Sequence, residues 1–129
     1  MHPSYFLNIG LSEEDPAREL KLPADFSEWL FHANYWGRVN ETAGTSFSQY
    51  EEEMLIHQHM PLAMEGLEKV KEVLLKMTAS DIRFVYGWNE GREALYCSVS
   101  VKALIQNIEG LEKFFLSAFD VGADVYCQL

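Results

Sequence analysis

The sequence predicts an α+β fold, and three observations carry that prediction. Several short runs alternate apolar and polar residues at period two, the signature of half-buried strands. Two longer stretches repeat apolar residues at steps of three and four, as amphipathic helices do. A short polar segment, Asn89-Glu90-Gly91-Arg92, joins the two best strand-like runs as a hairpin turn does. The expected arrangement is one globular domain over residues 1–129. It holds a small, mainly antiparallel four-stranded sheet with about four helices packed against it.

The hairpin is the strongest element. Ile82, Phe84, Tyr86 and Trp88 share one face of its first strand, and Leu95, Cys97, Val99 and Val101 share one face of its second. Tyr5, Leu7, Ile9 and Leu11 alternate at the start of the chain, and residues 124–128 alternate again at its end. Segments 5–11, 82–88, 93–100 and 124–128 are therefore expected to form a single sheet.

Between them the chain alternates breaks and helices. Ser12 to Asp15 form an acidic turn, Pro16 begins a short helical turn through Leu20, and Lys21-Leu22-Pro23 breaks the chain. A helix capped by Asp25 or Ser27 buries Phe26, Trp29, Leu30 and Ala33 and ends at Trp36-Gly37. Asn40 to Ser46 reads as a loop. A second helix starts at Ser46 or Ser48, with Glu51, Glu52 and Glu53 in its first turns, and Pro61 ends or kinks it. Leu62 to Met77 is the most regular helix, and the stripe from Leu104 to Phe119 is another, divided by Gly110 into two segments.

Charge restricts the partners. The net charge is −10, and residues 1–68 carry twelve acids against three bases, while residues 69–129 carry eight against seven. Nucleic acid and anionic membrane surfaces are excluded as partners, because both require concentrated positive charge. A basic protein surface is the complementary choice. No apolar run is long enough for a membrane span, and the N-terminus has no secretory pattern, so a cytoplasmic location is expected. Cys97 and Cys127 lie in apolar runs and are expected to be reduced and buried.

No motif indicates catalysis, and no enzyme is expected. His57 and His59 point about 200° apart on a helix and suit no common metal. His2 lies in the terminus, and His32 sits among aromatics. Neither cysteine has the surroundings of a nucleophile, no serine sits in an elbow, and the glycines form no phosphate loop. No cofactor is implied.

One constellation suits binding. Tyr35, Trp36 and Tyr50 lie in sequence among Glu28, Glu41, Glu51, Glu52 and Glu53, and these eight residues form the expected partner surface. Aromatic anchors in an acidic field fit a basic protein. Trp29 and Phe47, in the same stretch, are expected in the core. The fallback surface is an open sheet face with Phe6, Tyr96 and Tyr126.

In size, acidity and lack of catalytic motifs, the chain resembles the immunity proteins of bacterial toxin systems, including contact-dependent inhibition. The resemblance extends over the whole chain in type and rests on no motif, so no residue role transfers. It implies an inhibitor that binds and neutralises a cognate basic toxin domain, often a nuclease. Two other classes stay open: a small enzyme or ligand-binding domain with a pocket between sheet and helices, and an adaptor or oligomer-forming subunit. The oligomeric state is not legible from the residues.

Overall fold

The computed structural model describes residues 1–129 and has the α+β character expected. The elements are strand β1 (Ser4–Asn8), β2 (Glu19–Leu22), helix α1 (Ala24–His32), α2 (Tyr35–Ala43), β3 (Glu52–Leu55), α3 (Met60–Leu75), β4 (Asp81–Trp88), β5 (Ala94–Ser100), α4 (Val101–Asp120) and β6 (Val125–Gln128). An antiparallel four-stranded sheet has the order β2-β1-β6-β3, and β4 and β5 form a second sheet of two strands.

The composition of the sheet differs from the expectation. Its first and last strands are the expected ones, but its edges are β2 and β3, and the hairpin stands apart. β3 occupies the stretch expected to start a helix. The three glutamates favour a helix locally, but β6 has β1 on one side and an open ladder on the other. Pairing Glu52 with Gln128 and Leu55 with Val125 closes that ladder and buries Leu55 completely. Tertiary pairing outweighs a weak local preference.

Other boundaries move for local reasons. β1 stops at Asn8, whose side chain accepts a hydrogen bond from the Gly10 N–H at 3.0 Å and turns the chain. A Cβ on Gly10 would lie 2.6 Å from that of Ala123, so this turn packs against the approach to β6. Trp36-Gly37 lies inside α2 and does not end a helix; the break comes at Asn34, which takes a left-handed φ of 58°. α2 then runs through Ala43, so the first four residues of the expected Asn40–Ser46 loop are helical and left-handed Gly44 ends the helix.

Pro61 sits in the first turn of α3, where its missing N–H is no loss, so it starts a helix and ends none. α4 is continuous over 20 residues, with exposed Gly110 tolerated inside it. Ser100 caps it, accepting from the Ala103 N–H at 2.9 Å. Neither Asp25 nor Ser27 caps α1 as expected, because Pro23 holds the N-cap position. Buried Ser27 accepts from the Ser4 N–H at 2.9 Å and fastens α1 to β1.

α1 and α4 pack against the hairpin, α4 also meets β2, and α3 packs on α2 and α4. Phe6, on the inner face of β1, meets Trp36, Phe114 and Phe115, with ring centroids 5.9–6.4 Å apart. Phe84, on the hairpin, meets His32 of α1 at 5.0 Å. One core cluster contains Phe6, Val125 and Cys127 from the large sheet and Phe84, Cys97 and Val99 from the hairpin, so both sheets enclose the same interior. α3 and α4 are further joined by Lys71, which bonds Glu112 at 2.9 Å and Glu68 at 3.0 Å. Both cysteines are free and buried, as expected.

Candidate protein-binding face

The four-stranded sheet shows its inner side to the core and its outer side to solvent. Ser4, Phe6 and Asn8 of β1 are buried, and so are Val125 and Cys127 of β6. Pleating turns the alternate residues outward. The register lines them up in two rows. One reads Lys21, Tyr5, Gln128, Glu52 and the other Glu19, Leu7, Tyr126, Met54. Tyr5, Leu7 and Tyr126 are half-buried in the middle of the face, while Glu19, Lys21, Glu52, Met54 and Gln128 are exposed around it. The Glu52 carboxylate beside Tyr126 raises its phenol above the usual range, with partial desolvation adding to the effect. Desolvation raises Tyr5 in the same direction, with Glu19 the second cause.

Of the three aromatics expected at the surface, Tyr50 is exposed and Tyr35 and Trp36 are buried. Tyr35 is completely buried, and its hydroxyl donates to the Ala63 carbonyl at 2.8 Å. Burial pushes this phenol well above its ordinary pKa. Trp36 is 1% exposed and packs its ring 4.9 Å from Phe47 and 4.8 Å from Tyr35. The reason is the break at Asn34, which rotates α2 so that its aromatic start faces the core. Glu28 is also buried, with a carboxylate oxygen accepting from Gln49 Nε2 at 2.7 Å. Trp29 and Phe47 are in the core, as expected.

The other expected residues separate into groups. Glu41 is exposed on α2 and lines a cleft of about 130 Å³ with Arg38, Leu62 and Lys69, away from the sheet rows. Glu53 turns to the inner side opposite Cys127 and accepts from the Ser46 N–H at 3.3 Å. Tyr50, Glu51 and Glu52 stay at the acidic edge of the sheet. Tyr50 is 67% exposed, holds a φ of 66°, and meets the His2 ring edge-on at 5.4 Å. Its N–H donates to the Leu129 carbonyl at 2.8 Å, and the Glu51 carbonyl accepts from the Leu129 N–H at 3.0 Å. These two bonds extend the β3–β6 ladder and hold Tyr50 beside the outer face.

The fallback residues separate too: Tyr126 lies on the open face, Phe6 faces the core, and Tyr96 belongs to the hairpin. Tyr5, Leu7, Glu19, Lys21, Met54 and Gln128 were not expected at a binding surface. Their period-two pattern was visible in β1 and β6, but the neighbours that make it a surface come from β2 and β3.

The charge asymmetry along the chain becomes one in space. Three of the four strands come from residues 1–68, and their loops add Glu13, Glu14 and Asp15. The face is thus mixed, with aromatic and aliphatic groups in the middle and Glu19, Lys21 and Glu52 at its margins. In protein interfaces generally, an apolar middle supplies affinity and a charged rim steers the choice of partner. No group of three or more His, Cys, Asp or Glu side chains is placed to hold a metal ion, and no helix is long and apolar enough to cross a membrane. Compared with known protein families, with curated proteins and with solved structures, the chain matches none.

Proposed function

We propose that the chain is an acidic inhibitor of the immunity type, cytoplasmic and bacterial. It binds a cognate basic toxin domain, in the simplest case a nuclease, and blocks it. The observation that carries this reading is the outer face of the four-stranded sheet, where Tyr5, Leu7 and Tyr126 lie between Glu19 on one edge strand and Glu52 and Met54 on the other. The acidic rim speeds encounter with a positive surface, and the central aromatics supply the short-range affinity.

A ligand-pocket reading has less support. The cleft beside Glu41 is smaller than the roughly 300–1,000 Å³ of small-molecule sites. A groove of about 390 Å³ along α3 and α4 is lined mainly by charged groups, including Lys71 and Glu112, which bond to each other.

The reading is tested by co-expressing the chain with the C-terminal domain of a large protein encoded directly upstream. The expected result is growth arrest by that domain alone, rescue by the chain, and a stable complex of the purified pair. Absence of an inhibitory protein beside the gene, or arrest that the chain does not relieve, contradicts the reading.

A further inference from the structure

The hairpin differs from the large sheet in its charge and in its free backbone. β4 and β5 pair only with each other, so no third strand takes the outer edge of β5. β5 therefore has one open edge of N–H and C=O groups, which is a template for another strand. Proteins usually blunt such edges with charges, proline or bulges. The other three free edges follow that rule. β2 carries Glu19 and Lys21, β3 carries Glu52 and Glu53, and β4 carries Asp81, Arg83 and a bulge between Val85 and Gly87.

β5 does not follow it. Its seven residues, Ala94 to Ser100, include no charge, no proline and no bulge of their own. Its outward face carries exposed Ser98 and Tyr96, the latter 52% exposed under the Arg83 guanidinium at 3.9 Å. Trp88, opposite Ala94, is 67% exposed. Residues 81–102 hold three acids and three bases, in a chain whose net charge is −10.

The geometry points to a homodimer in which β5 pairs with β5 of a second copy across a two-fold axis. Two copies of one strand related by an axis perpendicular to the sheet run antiparallel, so the edge is complementary to itself. The product is a continuous four-stranded sheet with β5 and its copy at the centre. A second copy fits this edge better than a basic partner does, because β5 offers no carboxylate to attract positive charge. It also meets no net repulsion here, unlike at the acidic sheet. A single strand pair buries less than the roughly 1,200–2,000 Å² of a stable interface, so the dimer is weak and depends on concentration. This inference is independent of the proposed toxin binding.

Sedimentation of the full chain between about 10 μM and 1 mM tests it, a range that suits a weak complex. The expected result is passage from monomer to dimer, with slower hydrogen exchange at residues 94–100 as the dimer forms. Ser98→Lys and Ser98→Asp should each raise the dissociation constant about tenfold or more, and an equimolar mixture should restore it. Gln106→Lys, on the exposed side of α4, should change nothing. Melting of the dilute variants verifies their fold, and exchange in the unaltered chain tests the edge without any variant. A chain monomeric at 1 mM overturns the inference, as does a dimer that leaves β5 exchange unchanged or resists both Ser98 substitutions. Protection of β5 only on addition of a foreign protein also overturns it, in favour of a foreign strand.

Discussion

Trp36 shows how a single side chain changes meaning with its surroundings. It touches Phe6, Phe31, Tyr35 and Phe47, and its role is structural. Trp36→Ala should destabilise the fold by about 3–5 kcal/mol, because it removes a large buried ring and leaves a cavity. Urea unfolding checks this, and a variant within about 1 kcal/mol of the parent contradicts the burial. Lys71 gives a residue-scale test in pH. Its hydrogen bonds to Glu112 and then to Glu68 raise its ammonium above the ordinary lysine value. A group raised on folding binds its proton more tightly in the native state. Its contribution is complete below the ordinary value of about 10.4 and is lost as pH rises above it. Lys71→Met should therefore flatten the alkaline fall in stability, as measured by denaturant midpoints from pH 7 upward. Equal slopes in parent and variant would remove Lys71 from the account.

At the scale of elements, β6 holds the large sheet together. It lies between β1 and β3, and its inner residues Val125 and Cys127 are completely buried. Deleting residues 125–129 should prevent folding, seen as loss of dispersed amide signals, because β3 then has no strand to pair with. A truncated chain that keeps its native spectrum contradicts that role. Cys127 belongs to this strand, and burial raises its thiol well above the ordinary range. Native-state labelling should be slow at Cys127 and faster at Cys97, which is 8% exposed. Fast labelling of Cys127 contradicts its placement.

The same elements show what the residues reveal in advance. The hairpin, β1, β6 and the two long helices are legible because their apolar periodicity belongs to each segment alone. β3 is not, since Glu51-Glu52-Glu53 becomes a strand only through its pairing with β6. The break at Asn34 was equally hidden, and with it the burial of Tyr35 and Trp36. Of the proposed face, Tyr50, Glu51 and Glu52 lie in the stretch that the sequence pattern singles out. Tyr5, Leu7 and Tyr126 reach it only through the order β2-β1-β6-β3.

At the scale of the whole molecule, the acidic half of the chain builds most of the open sheet, and the hairpin carries a neutral edge. The partner we propose is a basic protein that docks on the sheet's outer face. The association and dissociation rates of the purified chain with its upstream-encoded domain test that claim most directly, measured across ionic strength. Charge reversal at Glu19, Glu51 and Glu52 should slow association and flatten its salt dependence, with little change in thermal stability. Tyr126→Ala should speed dissociation, with a loss of about 2 kcal/mol or more if its ring anchors the complex. Rates that neither set of substitutions alters would contradict the claim and move the interface off the sheet.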